Sequence, residues 1–281
     1  MRAAHVRGLQ RAFGEKALLR KLRVLLVENR GRWPLTDLYL THPLLRSRGC
    51  TEEFRQVVLK FIEEKSGEDI CRLVNSATST LLTYILVGGE KDKKWVQDTM
   101  GWLKQQQLKD GGWHWKPKGE LPLNARSEAW STAMVFAALK TIDGANTGYM
   151  DAILEFLKRD WKERGWGGSP EVTMIYLSIG GINGNNRIMK EAIQPLRASQ
   201  LPNGAWPGYS RKTCEGGIFK TCVILNALTA AGLGLNDESV LRGLKFVESK
   251  IDRILNARWG GVLIQGLCSL ASALLRLGLI D

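Results

Sequence analysis

The chain carries the same motif twice: a glutamine, three residues, then Gly-x-Trp. The copies are WLKQQQLKDGGW, which ends at Trp113, and PLRASQLPNGAW, which ends at Trp206. Each copy follows a stretch with helical periodicity and precedes a second apolar stretch. A repeat of this kind predicts a series of helical hairpins, each packed against the next. The motif residues are Gln107, Gly111, Trp113, Gln200, Gly204 and Trp206.

The residue types of the motif predict how one hairpin is joined to the next. A glutamine in the last turn of a helix can reach the unpaired carbonyls at that end or the free N–H groups of the next helix. The glycine permits a turn with positive φ, and the tryptophan packs over the corner with its indole N–H free to bind a carbonyl. Weaker copies without the glutamine end at Trp166 and Trp259, with a trace at 31–33 (GRW). The repeats therefore extend over residues 91–279.

Two classes of helix alternate along the chain. The first class has a charged face, as where Val96, Met100 and Leu103 oppose Lys93 and Lys104, and is expected on the outside. The second class is apolar on nearly all sides, so it must be buried. We expect outer helices at 15–28, 53–65, 92–107, 148–162, 186–200 and 237–254. We expect inner helices at 35–47, 69–87, 127–140, 170–180, 216–232 and 262–279.

Six outer and six inner helices predict an all-α fold, an (α/α)6 barrel formed as one domain over residues 1–281. A single domain is expected because each hairpin needs neighbours on both sides to bury its apolar face. The loops after Trp113 and Trp206 are long, whereas the return connection at 232–237 is short. One end of the barrel is therefore elaborated, and we expect the functional site there.

The motif resembles the QW repeats of triterpene cyclases such as squalene–hopene cyclase, in the terpene cyclase/prenyltransferase superfamily. The resemblance covers residues 91–279. It implies an (α/α)6 barrel with a cavity for a long isoprenoid. The larger cyclases carry two such barrels. Similar Gly-Gly-Trp turns also occur in unrelated α/α toroids, among them some glycosidases and lyases.

Cyclases of this family protonate an alkene or epoxide with an acid from a D-x-D-D-T-A segment that opens an inner helix. The similar segment here is EAWSTA at 128–133, followed by MVFAAL. Glu128 stands at the first Asp, Trp130 replaces the middle Asp that acts as the acid, and Ser131 replaces the last. Because the chemistry needs a carboxylic acid held protonated by its surroundings, the resemblance makes Glu128 a non-standard candidate acid.

Two further acids, Glu171 and Glu215, precede apolar stretches at the starts of inner helices and are also candidate catalytic residues. A structural role suits all three acids better than a catalytic one. A carboxylate at the N-cap or in the first turn of a helix is stabilised by the helix dipole.

Aromatic residues near the openings of the inner helices are candidate ligand contacts. In a cyclase their faces stabilise carbocations, and in a binding protein the same surface accommodates an isoprenoid chain. The candidate substrate-binding residues are Trp115, Trp130, Tyr176, Tyr209 and Phe219. Cations in the long loops can hold a diphosphate through charge-assisted hydrogen bonds, or remain solvated. The candidate diphosphate-binding residues are Arg126, Arg211 and Lys212.

No metal site is predicted. The related prenyltransferase β subunits hold zinc with Asp, Cys and His, but His5, His42 and His114 do not stand in a matching motif. Cys214 and Cys222 lack a paired histidine, and zinc needs several converging ligands. No cofactor is expected, and Mg²⁺ is expected only if the substrate is a diphosphate.

The formal net charge of +12 suits an anionic partner. An anionic membrane surface, a diphosphate and nucleic acid all fit, nucleic acid least well, and so does a solvated basic face without a partner. No apolar stretch reaches the roughly 18 residues of a membrane span. Five scattered cysteines without CxxC fit a reducing cytosol. We expect a cytoplasmic protein, peripheral on the membrane if it binds lipid, and predict no oligomeric state.

Three functions are compatible with these features. The leading hypothesis is a terpenoid cyclase-like protein that acts on or binds a long isoprenoid, either a polyprenyl hydrocarbon or a diphosphate. The alternative is a non-catalytic isoprenoid-binding or membrane-surface protein that has lost cyclase activity. The third is a carbohydrate-active α/α toroid, which needs paired carboxylates across a cleft, and the inner helices offer few acids.

Overall fold

The computed structural model describes residues 52–65, 73–144, 148–208, 214–250 and 261–279. Within these ranges the chain forms ten α-helices and one 3₁₀ turn, with no β-strand, which confirms the all-α class. The predicted helices at 15–28 and 35–47 lie outside the described residues. The helices are α1 Glu52–Lys65, α2 Val74–Leu86, α3 Lys94–Gln105, α4 Ala129–Asp143, α5 Gly148–Arg164, α6 Pro170–Ile179, α7 Arg187–Ala198, α8 Cys214–Ala230, α9 Glu238–Glu248 and α10 Gly261–Arg276.

Each of the ten helices corresponds to one predicted helix, although several ends differ. The clearest difference is α9, which ends at Glu248, six residues before the predicted end at residue 254. Ser249 follows it, and the Ser249 hydroxyl donates to the carbonyl of Phe246 at 2.7 Å. A serine that bonds the backbone locally in this way favours a helix end over helix continuation.

The predicted alternation of buried and half-exposed helices is present among the described residues. In α4 every residue from Ser131 to Leu139 is buried, and in α8 every residue from Thr221 to Ala230 is buried. By contrast, α3 buries Val96, Thr99, Met100 and Leu103 and exposes much of its opposite face. The apolar faces of the half-exposed helices therefore serve to cover the buried ones.

The described chain divides into two compact units. The first holds α1 to α6 and the part of α7 up to Ala192, and the second continues from Ile193. In the first unit α4 packs against both α2 and α6, and in the second unit α8 packs against α10 and α9. The single domain expected over residues 1–281 stays a prediction. None of the described helices has the length and apolar character needed to cross a bilayer.

The buried helices of the first unit begin at one common end. The N–H of Val74, which opens α2, donates to the carbonyl of Trp115 at 2.9 Å. The N–H of Glu128, which precedes α4, donates to the carbonyl of Trp113 at 2.8 Å. The short segment after the first motif therefore joins the starts of two buried helices. The end of α5 reaches the same place, because Arg164 donates to the carbonyl of Ser127 at 3.1 Å, and α6 starts soon after it.

Candidate functional site

The two tryptophans of the repeated motif occupy equivalent positions. Trp113 and Trp206 are both fully buried. The indole N–H of Trp113 donates to the carbonyl of Leu103 at 2.7 Å, and that of Trp206 donates to the carbonyl of Leu196 at 2.6 Å. Each accepting carbonyl belongs to the last turns of the preceding helix. The expected contact between indole and carbonyl is thus present at both corners, which fixes the first helix of each hairpin to the loop that follows it.

The glutamine of the motif has a different partner from the one expected. Gln107 donates to the carbonyl of Gly111 at 2.9 Å, and Gln200 donates to the carbonyl of Gly204 at 3.0 Å. The amide therefore closes its own corner instead of reaching the end of its helix. Only Gln200 also reaches another helix, through the carbonyl of Ser239 in the first turn of α9, at 2.9 Å. Both glycines have positive φ, +89° and +88°, as the turn requires.

A threonine completes each corner, and sequence patterns did not indicate it. The backbone N–H of Trp113 donates to the hydroxyl of Thr132 on α4 at 2.9 Å. The backbone N–H of Trp206 donates to the hydroxyl of Thr221 on α8 at 3.0 Å. Both threonines are fully buried. Each corner is therefore tied to the following buried helix through one hydroxyl, so that three elements meet at a set of internal hydrogen bonds.

The weaker third copy retains the tryptophan contact without the glutamine. The indole N–H of Trp166 donates to the carbonyl of Leu157 at 2.9 Å. Three successive residues here have left-handed backbone angles, Gly165 at +58°, Trp166 at +62° and Gly167 at +63°. Trp166 is the one non-glycine residue with positive φ in the described chain. A left-handed backbone costs free energy at a non-glycine residue such as Trp166. The burial and the hydrogen bond of its indole hold the residue in this conformation.

A cleft of about 730 Å³ opens beside the first corner, within the first unit. Its walls are the corner itself, the loop after Trp113 and the C-terminal half of α5. The lining combines apolar and charged side chains, and Arg126 is the one predicted site residue among them. The lining residues are Leu108, Lys109, Asp110, Lys118, Leu121, Pro122, Leu123, Ala125, Arg126, Phe156, Arg159, Asp160, Glu163 and Arg164.

The acidic residue most deeply placed in this cleft is Asp160. Its side chain is 3% exposed, and it forms a salt bridge with Arg164 one turn later on α5. Two of the three guanidinium nitrogens, Nε and Nη2, are directed at the same carboxylate oxygen, Oδ1. The Nη2 group also donates to the carbonyl of Ser127. Arg164 therefore links the cleft to the start of α4.

Asp110, a second acid of the cleft, has a structural role. Its carboxylate accepts hydrogen bonds from the hydroxyl of Ser127 at 2.5 Å, the N–H of Ser127 at 3.1 Å and the N–H of Gly112 at 3.2 Å. Its backbone carbonyl accepts from Arg159 at 2.6 Å. Three donors on one carboxylate hold the corner against the segment that precedes α4, so this acid is not available to a ligand.

The predicted acid Glu128 lies directly before α4 and is half-buried. Its carboxylate makes no capping bond to the helix backbone and instead accepts the hydroxyl of Ser131 at 3.0 Å. Trp130 lies between them in the chain and is also half-buried. These residues of the EAWSTA segment therefore stand together at the start of a buried helix.

The second predicted acid, Glu171, is fully buried in the first turn of α6. Tyr176, on the next turn of the same helix, is also fully buried. Because α6 starts near the end of α5, Glu171 lies at the same end of the first unit as Glu128. The structure thus places two of the three predicted acids at the starts of α4 and α6, two helices that pack together.

The remaining predicted residues are more scattered. Trp115 is half-buried in the loop after the first corner, where the ammonium of Lys116 lies 5.1 Å from its ring centroid. Phe219, on α8 in the second unit, is half-buried, and its ring lies against Gly266 of α10. The other predicted positions fall outside what the structure describes, namely Tyr209, Arg211, Lys212 and the side chain of Glu215.

Two ionisable groups of the second unit lie in strongly desolvated places. Burial lowers the pKa of Arg276, in the last turn of α10, to about 10. Its guanidinium donates to the side-chain oxygen of the buried Asn226, and no described carboxylate pairs with it. Burial also raises the pKa of the Cys222 thiol to about 12, so that this cysteine is a core residue and not a reactive thiolate.

Among the described residues, no three His, Cys, Asp or Glu side chains converge as metal ligands would. The chain matches no protein-family model and no curated protein.

The residues that sequence patterns missed have a signal that can be named. Asp160 falls on the buried face of α5, in register with Ile153, Phe156 and Leu157. An acid at helical spacing within an apolar face, with an arginine four residues later, indicates a buried ion pair. Such an ion pair in turn indicates that the surface next to this face of the helix is polar at that point. The same rule does not find Thr132 or Thr221, since a threonine in a buried helix usually bonds a carbonyl of its own helix and gives no sign of a second partner.

Proposed function

We propose that this protein binds a long isoprenoid with an anionic head group, such as a polyprenyl diphosphate. The observation that carries the proposal is the cleft beside the first corner. Its volume of about 730 Å³ lies within the range of about 300–1,000 Å³ that is usual for small-molecule sites. Part of its lining is apolar and part carries cations, as expected for a ligand with a hydrocarbon chain and an anionic head group.

The apolar part of the lining offers a surface for a hydrocarbon chain. Phe156 is buried, while Leu108, Leu121 and Ala125 are half-buried. Burial of apolar area contributes about 25 cal/mol for each Å² removed from water. A prenyl chain laid along these residues would gain affinity without any specific polar contact.

The cationic part of the lining supports the head group. Lys109, Lys118 and Arg126 are exposed at the edge of the cleft. No described carboxylate pairs with Arg126, so its guanidinium can turn to a ligand, and guanidinium groups bind phosphate oxygens in pairs. Mg²⁺ would accompany the head group only if that group is a diphosphate.

We further propose that the hairpins belong to an (α/α)6 barrel. The support is the regular alternation of buried and half-exposed helices in each unit. It also rests on the shared end at which α2, α4 and α6 begin. In such a barrel, the residues at the starts of the inner helices surround the mouth of the central cavity, where Glu128 and Glu171 would lie.

Cyclisation of the isoprenoid is a second candidate function. The observation that favours it is the full burial of Glu171 at the start of α6. Protonation of an alkene requires an acid shielded from water, since water would compete for the cation that forms. Glu128 is half-buried, whereas Glu171 is fully buried, so Glu171 is the better shielded from water of the two acids.

The deciding experiment combines a binding measurement with product analysis. The protein is titrated with geranylgeranyl diphosphate by calorimetry, and parallel incubations with this compound and with squalene are analysed by mass spectrometry. We expect binding of the diphosphate, with the compound recovered unchanged. Reversing the charge at the edge of the cleft, Arg126→Glu, should weaken binding by about tenfold, because a charge-assisted contact is lost.

The matched control is Lys190→Glu, which makes the same charge change on an exposed face of α7 away from the cleft. It should leave the affinity within about twofold, since exposed charges at a distance are screened. A cyclised product that disappears in Glu171→Gln would establish the second candidate function instead. Neither binding nor product with either compound would overturn the isoprenoid assignment.

We also propose that the protein associates peripherally with anionic membranes on the cytoplasmic side. Leu123, in the loop that forms one wall of the cleft, is fully exposed, and Pro122 beside it is exposed as well. An exposed leucine near Lys109, Lys118 and Arg126 combines an apolar anchor with positive charge. This is the combination that binds the interface of an anionic bilayer.

A further inference from the structure

We infer that Asn183, in the connection between α6 and α7, is a site of spontaneous covalent modification. Its side-chain amide is converted to a carboxylate, with water as the second reactant and ammonia as the leaving product. The reaction does not involve the ligand of the cleft. The chain holds two Asn-Gly pairs, Asn183-Gly184 and Asn203-Gly204, in different surroundings, and only the first is open to this reaction.

The reaction needs an unobstructed main-chain nitrogen directly after the asparagine. The nitrogen of Gly184 loses its proton to solvent and attacks Cγ of Asn183. The bond between Cγ and Nδ2 breaks, and Nδ2 takes up a proton and leaves as ammonia. Water then opens the resulting five-membered imide at either of its carbonyls, which gives aspartate or isoaspartate. Glycine favours the attack because it has no Cβ to obstruct it.

The nitrogen of Gly184 is not engaged in a hydrogen bond. Within the described chain, no group accepts a bond from its N–H. Asn183 is exposed and Gly184 is half-buried. The pair lies between Ile179, where α6 ends, and Arg187, where α7 begins, so its main chain belongs to no helical ladder. No hydrogen bond of this nitrogen therefore has to break before the attack.

The neighbouring main chain also activates the amide of Asn183. The N–H of Asn185 donates to Oδ1 of Asn183 at 3.0 Å. Negative charge develops on Oδ1 when the nitrogen of Gly184 attacks Cγ. A main-chain N–H that already bonds this oxygen stabilises that charge. The same hydrogen bond holds the side-chain amide close to the main chain of the residues that follow it.

The pair Asn203-Gly204 has the same activating bond but is closed to the attack. Asn203 is exposed too, and its Oδ1 accepts the N–H of Ala205 at 3.0 Å. The N–H of Gly204, however, donates to the carbonyl of Leu201 at 2.9 Å, and Gly204 is buried against α9. Its nitrogen can turn to Cγ only after this bond breaks and the corner separates from α9, which requires local unfolding.

The modification acts on the start of α7. The carbonyl of Asn183 accepts the N–H of Asn186 at 3.0 Å, and Oδ1 of Asn186 accepts the N–H of Ile188 at 3.1 Å, which caps the helix. An isoaspartate at position 183 carries the main chain through its side chain and lengthens it by one carbon, so the turn that leads into the cap has to rearrange. Asn183 is thus a point at which the first unit changes with age, without any enzyme.

The experiment follows both asparagines in one sample. The full-length protein is incubated in warm, mildly alkaline buffer, digested with trypsin at intervals and analysed by mass spectrometry. The two pairs fall in separate tryptic peptides, 165–187 and 198–211. We expect aspartate and isoaspartate to form at Asn183 at least about tenfold faster than at Asn203, because the second reaction needs a buried hydrogen bond to break first.

The matched control is the same protein in guanidinium chloride, where neither glycine nitrogen is held by the fold. There the two asparagines should react within about threefold of each other, since both precede glycine. The variant Gly184→Ala should slow the reaction at Asn183 in the folded protein by at least about tenfold, because the added Cβ obstructs the attack. If this variant does not fold, the comparison of the folded and unfolded protein still decides.

Two results would overturn the inference. Equal rates at Asn183 and Asn203 in the folded protein would mean that the bond from Gly204 to Leu201 gives no protection. Reaction at Asn183 in guanidinium chloride but not in the folded protein would mean that the connection between α6 and α7 holds the nitrogen of Gly184 away from Cγ.

Discussion

At the residue scale, the corners are held by hydrogen bonds from tryptophan indoles to helix carbonyls. We expect Trp113→Phe to lower the free energy of unfolding by about 1–2 kcal/mol, because the bond to the carbonyl of Leu103 is lost while most of the apolar volume remains. Urea unfolding followed by circular dichroism would measure the change.

Trp95 provides a matched control for this prediction. It is half-buried, and its indole packs edge-on against Tyr84 with ring centroids 4.8 Å apart. The indole nitrogen itself is buried, but no described residue accepts a bond from its N–H. Trp95→Phe should therefore change the free energy of unfolding by less than about 0.5 kcal/mol. A loss as large as that of Trp113→Phe would show that the ring volume, and not the hydrogen bond, stabilises the corner.

Single residues differ in how well the sequence predicts them. The indole contacts of Trp113 and Trp206 follow from the motif, because the spacing to the preceding helix is the same in both copies. The contacts of the Thr132 and Thr221 hydroxyls do not follow from the motif, because their partners lie 19 and 15 residues earlier in the chain. The contact depends on how the loop folds back, and a loop of variable length leaves no periodic signal.

At the scale of elements, a pair of glycines tests how closely the second corner approaches α9. Gly204 and Gly232 have nearly the same positive φ, +88° and +89°. A Cβ at Gly204 would lie 2.3 Å from the carbonyl oxygen of Arg242 on α9, whereas a Cβ at Gly232 would meet nothing within 4 Å.

We expect Gly232→Ala to lower the free energy of unfolding by about 1–2 kcal/mol, from backbone strain alone. Gly204→Ala should lower it by about 1–3 kcal/mol more, because α9 has to move away from the corner. Thermal and urea unfolding of the two variants would give the difference. Equal losses would mean that the corner and α9 are less closely packed than the structure shows.

The elements themselves were largely predictable, and the cleft was not. Helix class follows from periodicity, so α4 and α8 could be recognised as buried from their apolar sequences. The cleft beside the first corner depends on the path of the loop at 117–126, which has no regular structure beyond one 3₁₀ turn, Lys118–Glu120. Of the cleft residues only Arg126 was expected, since a cation in a long loop is visible in the sequence but its neighbours are not.

At the scale of the whole molecule, the net charge of +12 governs association with surfaces. We expect the protein to sediment with vesicles that contain phosphatidylglycerol at low ionic strength and to be released at about 0.5 M salt, because screening shortens the range of the attraction. Leu123→Ser should weaken the binding by about tenfold, the value of burying one leucine side chain.

Vesicles of phosphatidylcholine alone are the control for this prediction. They carry no net charge, so sedimentation with them should be weak at every salt concentration. Equal binding to both kinds of vesicle would exclude an electrostatic contribution, and an unchanged affinity of Leu123→Ser would exclude the loop as the anchor. Net charge alone suggested the surface, but only the structure shows which apolar residue stands beside the exposed cations.

The repeated corner has a consequence for how such a chain can change in length. Each corner makes its hydrogen bonds to the helix before it, within the segment from Gln to Trp, and to one threonine of the helix that follows, and the second corner also bonds α9 through Gln200. A hairpin that ends in such a corner therefore keeps most of the contacts of that corner when it is duplicated, lost or exchanged as a unit. The copy at Trp166 keeps the bond from the indole to the preceding helix and has no glutamine, so a corner of this kind can close without that residue.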